Sequence, residues 1–357
     1  MKSSVSIATR TPARTATALA SLGLTLGMVL ALSGCSSDGT TFGDTNGAPS
    51  TGVYVIQNTP ATTTTAATGT ILQFSTSATG AATPDSTIAN LKVTSLGFLA
   101  VDGTGDIYTS ATEGTTGTSI LEFPVDSSNN AQPTRSIPFN TTTGLTAMSG
   151  LAVDATGDIY ASNTTGGVYE FGPAAAGSVA PTSTVSITSG AGPQATAVDP
   201  SGNLYIATGI PLNNIAIAPI EVFAPGATAP IRSLSGALTG LNIATPQGMA
   251  TDTAGNLYVT NVVAGVSSIL VFEPTATGNT PPLRDITGSN TLLGCAGGIA
   301  LDNEGYLYVV STPTCGSTAS PTVLKFSTTG DGNIAPVATF TSSAWNTPDP
   351  SLSIAVY

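Results

Sequence analysis

The sequence predicts an all-β chain built as a six-bladed β-propeller of four-stranded blades. Three observations predict it. One short segment recurs five times with fixed internal spacing. Beyond residue 50 the apolar residues fall in short runs bounded by turn residues, with no helical period. The two ends of the chain hold complementary parts of one further repeat.

The recurring segment reads GFLAVDGTGDIY to Tyr108, GLAVDATGDIY to Tyr160, ATAVDPSGNLY to Tyr205, GMATDTAGNLY to Tyr258 and GIALDNEGYLY to Tyr308. In every copy Tyr follows Asp by six, from Asp102, Asp154, Asp199, Asp252 and Asp302. A second run follows each Tyr and ends in Phe123, Phe171, Phe223, Phe272 or Phe326. A third surrounds Arg135, Arg232 and Arg284 as PTRSI, PIRSL and PLRDI. Each unit therefore supplies four strands, A to D, and a fixed period of this length marks a repeat architecture. At the start, GVYVIQN (52–58), TILQF (70–74) and STIANL (86–91) match strands B, C and D with no strand A before them. At the end, SLSIAVY matches strand A. The C-terminal strand is predicted to complete the N-terminal blade, which closes the ring and removes its open edges.

Asp-x-x-Gly between strands A and B predicts a tight turn. Asp accepts backbone N–H bonds there, and Gly in the fourth place tolerates positive φ. DGTGD and DATGD space their carboxylates as a calcium loop does, yet lack its dense oxygen ligands and terminal bidentate Glu. The turn is the reading adopted. Each unit also carries one Tyr and one Phe, Tyr54 and Phe74 in the first, which predicts packing between blades. Glu122, Glu170, Glu221 and Glu273 on strand C, with arginines on strand D, predict cross-strand Glu–Arg pairs.

The N-terminus reads as an address. Lys2, Arg10 and Arg14 precede an apolar stretch that ends in Leu32-Ser33-Gly34-Cys35. This resembles the lipobox of bacterial lipoproteins. The resemblance implies a signal peptide over 1–34 and lipidation of Cys35. Residues 35–50 would be a flexible tether, and 51–357 the propeller. The implied location is the cell envelope, outside the cytoplasm, with the membrane held through the lipid anchor. Ser36, rather than Asp, implies the outer membrane in a Gram-negative cell.

Composition excludes several functions. The chain has no His, so it has no Ser-His-Asp triad and no His-ligated zinc. Its net charge is −12, the opposite of a nucleic-acid footprint. Charged residues make up 8%, against a typical ~25%, so the surface is built from Thr, Ser, Gly and Asn, as in secreted β-proteins.

The unit P-x-G-[IL]-A-[VT]-D-x-x-G-[ND]-[IL]-Y-V-x-N, followed by [IL]-x-V-F, resembles the NHL repeat. The clearest copy is TPQGMATDTAGNLYVTNVVAGVSSILVFEP at 245–274. The resemblance covers about residues 51–357 and implies a six-bladed propeller; it is specific for fold and not for function. Ser162-Asn163 and Thr260-Asn261 stand where the family often has Ala-Asp. The RNA-binding mode of some members needs a basic face, which this chain lacks. Related propellers include metal-dependent lactonases of the gluconolactonase type, whose ligand Glu has no counterpart on strand A here.

The B–C and D–A loops share one face and are the longer set. Cys295 and Cys315 both fall there, and a disulfide between them is predicted, as suits an oxidising exterior. Gln194 and Gln247 precede strand A. Asn58, Asn163 and Asn261 end strand B, and Trp345 lies in the last D–A loop. Neutral amides with one aromatic suit a sugar or a peptide. The expected function is a non-catalytic binding or scaffolding module for a protein or glycan on the long-loop face. The alternative is a lactonase-like hydrolase with a carboxylate-bound metal. The sequence supplies no cofactor motif, metal-ligand set or catalytic residue.

Overall fold

In the computed structural model, residues 51–357 are described, apart from 90–91, 115–116, 165, 188–191, 209–218, 242–247, 318 and 346–352. The signal peptide, Cys35, the tether and Gln247 lie outside the described residues. Blade 1 joins Ile354–Val356 to Val53–Thr59, Thr68–Phe74 and Ser86–Ala89. Blade 2 runs through Val93–Val101, Ile107–Glu113, Gly117–Phe123 and Arg135–Pro138. Blade 3 comprises Met148–Val153, Ile159–Asn163, Gly167–Phe171 and Ser183–Ser186. Blade 4 comprises Pro193–Val198, Leu204–Thr208, Ile220–Phe223 and Arg232–Leu234. Blade 5 is Gly248–Thr251, Leu257–Val263, Val266–Phe272 and Arg284–Thr287. Blade 6 is Cys295–Leu301, Tyr306–Thr312, Thr322–Ser327 and Ala338–Thr341. In each blade these are strands A to D in order. Strands A of successive blades touch in a closed circuit, so they form the inner wall.

The predicted architecture is the observed one. Val53, Tyr54 and Val55 pair with Val356, Ala355 and Ile354. Gly52 and Tyr357 exchange backbone bonds of 3.2 and 3.1 Å just beyond them. The first blade is thus assembled from both ends of the sequence.

The aromatic pair has a defined job. Each strand B Tyr joins a cluster that holds the strand C Phe of the next blade. Tyr54 meets Phe123, Tyr108 meets Phe171, and Tyr160 meets Phe223. Tyr205 meets Phe272, Tyr258 meets Phe326, and Tyr308 returns to Phe74. All six Phe are no more than 2% exposed. Burying one such side chain contributes about 1.5–3 kcal/mol, so the interfaces hold the ring together.

The turns are built as the spacing predicts. Asp102 Oδ1 accepts the N–H groups of Thr104 (2.9 Å) and Asp106 (3.0 Å). The other four copies repeat this. Gly105, Gly157, Gly202, Gly255 and Gly305 close the turns at φ between 79° and 92°, a region in which a Cβ is strained.

The cross-strand Glu–Arg expectation holds for one pair only among the described residues. Glu122 lies opposite Arg135 and forms an ion pair with it. In blades 4 and 5 the register puts Val222 opposite Arg232 and Val271 opposite Arg284. These arginines instead donate to tyrosine hydroxyls, Arg232 to Tyr205 (3.4 Å) and Arg284 to Tyr258 (3.1 Å).

Candidate functional site

The A–B turns converge around the central axis on what is here called the turn face. They enclose a cavity of about 700 Å³, within the roughly 300–1,000 Å³ of ligand clefts. Every blade contributes the residue just before its turn: Val356, Val101, Val153, Val198, Thr251 and Leu301. The Thr251 hydroxyl is turned away from any ligand, donating to the Val198 carbonyl at 2.8 Å. The wall is therefore apolar all round. The rim is formed by the residues that follow each Asp: the small Gly103, Ala155 and Pro200, then Thr253, and in blade 6 Asn303 with the exposed carboxylate of Glu304.

The five repeat aspartates stand at this mouth, and their oxygens are committed. In each, Oδ1 takes two backbone N–H groups across the turn. Oδ2 accepts the hydroxyl of the Tyr six residues on, at 3.0 Å from Tyr108, 3.5 Å from Tyr160 and 3.3 Å from Tyr205. Tyr258 and Tyr308 reach Asp252 and Asp302 at 3.1 and 3.0 Å. Asn203 and Asn256 add a side-chain N–H to Oδ2 of Asp199 and Asp252. Among the described residues no three His, Cys, Asp or Glu stand close enough to hold a metal ion. A divalent ion needs several oxygen ligands converging on one point, and each aspartate here is held apart by its own turn. The donor set at the mouth therefore does not fit the metal of the lactonase-type propellers.

Burial and the adjacent carboxylate push the phenols up. Tyr205 and Tyr258 rise to about 12, by desolvation first and Asp199 or Asp252 second, with Arg232 and Arg284 acting the other way. Tyr54 also rises to about 12, by burial first, then Asp126 and Tyr357. Tyr108, Tyr160 and Tyr308 are pushed up for the same leading reason. A phenol raised in the folded state adds stability that is fully present below its unfolded pKa of about 10. That stability is lost as the pH climbs through the folded value. Urea midpoints are expected to hold steady up to pH 10 and to fall steeply between pH 10 and 12. Absorbance at 295 nm should show these tyrosines ionising only as the protein unfolds.

The long-loop face carries the predicted site residues, and the structure gives most of them structural partners. Asn58 clamps blade 2: its Oδ1 accepts from Leu96 N at 2.7 Å and its Nδ2 donates to Leu96 O at 2.9 Å. Asn163 is buried, and its Oδ1 accepts from Thr146 N, Thr146 Oγ1 and Ala147 N. Asn261 is buried and donates to Gly240 O at 3.1 Å. Trp345 is 3% exposed, packed on Phe74 and Phe340 at centroid distances of 5.6 and 6.0 Å. Its ring faces are taken by the core, so it offers a ligand no stacking surface. Gln194 differs, because it is the bulged residue of its strand, between Pro193 and Ala195. A bulge re-aims its side chain out of the ladder.

Cys295, the first residue of strand A in blade 6, is bonded to Cys315 in the B–C loop of the same blade, with Cα atoms 4.9 Å apart. Closing a loop of this length is worth about 3 kcal/mol by chain entropy. Replacing both cysteines by serine is expected to lower the urea-derived stability by that amount, with the circular dichroism of the sheets unchanged. Beside the disulfide, a groove of about 590 Å³ runs between blades 5 and 6, lined by Val266, Leu293 and Pro313 among others.

The wall residues of the mouth carried a sequence signal: the position before each repeat Asp is aliphatic or Thr. It marks the axis because strand A is innermost.

No protein-family model matches the chain, and no curated protein does. Solved structures do. A protein of unknown function from Bacteroides caccae superposes with a TM-score of 0.55 at 10% identity, over 86% of this chain and 99% of that one. The WD40 domain of Toxoplasma gondii coronin matches at 0.42 and 13% identity, over 68% and 58%. A gluconolactonase from Xanthomonas campestris matches at 0.41 and 17% identity, over 60% and 69%. At such identities the likeness is one of fold.

Proposed function

We propose that this chain is a binding module of the cell envelope, held outside the cytoplasm by a lipid on Cys35, and that it binds without performing chemistry. Its ligand is an uncharged protein segment or glycan that seats an apolar face in the channel mouth. One observation carries the reading: a cavity of about 700 Å³ with an apolar wall from all six blades and five repeat aspartates each bonded into its own turn. Such a site rewards shape and apolar area. It lies on the face opposite the long loops.

The test uses the chain from Ser36 onward, screened by thermal shift against neutral glycans and uncharged peptides. A ligand that raises the melting temperature is expected to lose at least tenfold in affinity when Val153→Trp fills the mouth. Val266→Glu on the long-loop face should leave it unchanged. The reverse pattern moves the ligand to the groove beside Cys315. Stoichiometric divalent metal in the pure protein, or turnover of a lactone, overturns the reading.

A further inference from the structure

The junction between blades 3 and 4 is built differently from the other five. In five blades the strand D begins twelve residues after the strand C Phe, as from Phe123 to Arg135 or Phe272 to Arg284. In blade 4 the interval from Phe223 to Arg232 is nine. The missing residues are those that elsewhere reach back to the preceding blade. Asn129 bridges to Ile88, Gly278 to Leu234 and Gly332 to Ile286, each in the parallel sense. Gly80 pairs in parallel with Phe340, and Gly177 N–H donates to Ser136 O at 2.7 Å. These straps cover the outer edge of the blade before them. No backbone bond from blade 4 reaches strand D of blade 3 among the described residues. Thr184 there is exposed, whereas its counterparts Thr87, Ser136, Ser233, Asp285 and Thr339 are half-buried.

A second difference coincides with the first. Five blades place a hydrogen-bond donor or cation against their strand B Tyr. Gln73 Nε2 donates to the Tyr54 hydroxyl at 3.3 Å. Arg135, Arg232 and Arg284 donate to Tyr108, Tyr205 and Tyr258. Lys325 Nζ lies 4.9 Å from the Tyr308 ring centroid. Blade 3 has Glu170 and Ser183 in the places that blade 2 gives to Glu122 and Arg135. A cavity of about 40 Å³ opens there, lined by Tyr160, Glu170, Ser183, Ala224 and Pro225. By the ~10–15 Å³ a water needs, it has room for about three, close to the four heavy atoms of a guanidinium. Burial, Asp158 and Asp154 all raise the Glu170 pKa, while Ser183 lowers it, and no cation contributes.

We infer that this junction is a docking site for an extended segment of a partner protein, which adds as a parallel strand to Ser183–Ser186 and inserts an arginine beside Glu170. The strand would cover the one edge that no strap covers among the described residues. The arginine would meet what Arg135 meets within blade 2. Arg135 donates to Glu122, to the Tyr108 hydroxyl and to the Gly172 and Pro173 carbonyls of the next blade. The corresponding groups here are Glu170, Tyr160 and the carbonyls of Ala224 and Pro225. Charge complementarity selects the basic residue, and the fork geometry of guanidinium suits a carboxylate with flanking carbonyls.

The experiment uses the full chain in detergent. The probes are acetylated heptapeptides of alternating Thr and Val, with one arginine moved through the seven positions. Fluorescence anisotropy is expected to find a register in which arginine binds at least tenfold tighter than citrulline. Ser183→Arg supplies the blade's own guanidinium and should weaken that peptide at least tenfold with no fall in melting temperature. Three residues inserted after Thr228 restore the strap and should do the same. Glu170→Gln should erase the preference for arginine over citrulline. Val153→Trp in the channel mouth should change nothing, which separates this site from the proposed ligand seat. No register with an arginine preference, or equal binding by the Ser183→Arg chain, overturns the inference.

Discussion

Phe74→Ala is expected to lower stability by about 4 kcal/mol, the middle of the ~3–5 kcal/mol range for emptying a core Phe site. Phe74 is fully buried where the last blade meets the first. It lies 5.2 Å from Phe340 and 5.6 Å from Trp345, centroid to centroid, and such aromatic contacts add roughly 0.5–1.5 kcal/mol beyond area. The backbone on one side belongs to the paired termini, so the seam has little freedom to collapse into the void. Trp345 is the sole tryptophan and reports directly. Its emission should shift to the red in the variant before the sheets melt. Phe74→Leu should recover more than half of the loss. A variant as stable as the parent would show that the seam does not hold the ring.

Asp199→Ala should cost about 3–4 kcal/mol, well above an ordinary surface change. Asp199 is 6% exposed. Its carboxylate takes the N–H groups of Ser201 and Asn203, the Asn203 side chain and the Tyr205 hydroxyl. Truncation strands all four donors, and each buried group left unmade costs about 1–3 kcal/mol, reduced where water enters. Asp199→Asn keeps an acceptor for the turn but presents N–H to one of the donors, so about half the loss is expected. The comparison is read from urea midpoints. It also separates a turn carboxylate from a metal ligand, because the losses should not depend on added calcium or chelator.

The fold was legible because its periodic parts are local. Asp-x-x-Gly fixes a turn within four residues, and Tyr and Phe recur wherever one blade meets the next, so spacing alone located them. The shared blade was legible because SLSIAVY is visibly the strand that GVYVIQN lacks. The partners of the charged residues were not. Glu122 precedes its Phe and Glu273 follows its Phe, a shift of two places that moves the side chain along the strand and off the arginine. Register differences of this size do not show in composition. The candidate amides were placed on the right end of their strands. Asn163 nevertheless serves backbone N–H groups of its own blade, a use that only the path of residues 146–147 reveals. The channel mouth shows in the sequence only as an aliphatic residue or Thr before each repeat Asp, an ordinary strand position that gains significance once strand A is known to be innermost.

The pairing of Val53 with Val356 sets a timetable for the chain's biogenesis. Of the propeller's strands, the one that completes the first blade is the last to be synthesised. At ~5–20 residues per second, about 15–60 s separate the appearance of the two partners. Through that interval Val53–Val55 has no inner neighbour, and its free edge is open to other chains. Blades 2 to 6 are each contiguous in sequence and can form as they emerge, with contacts of low sequence separation. Closure is the one event of very high contact order, so it comes last and limits the rate. The nascent protein passes through a stage that is nearly a ring, lacking only its fastening, with that edge open to other chains for about 15–60 s.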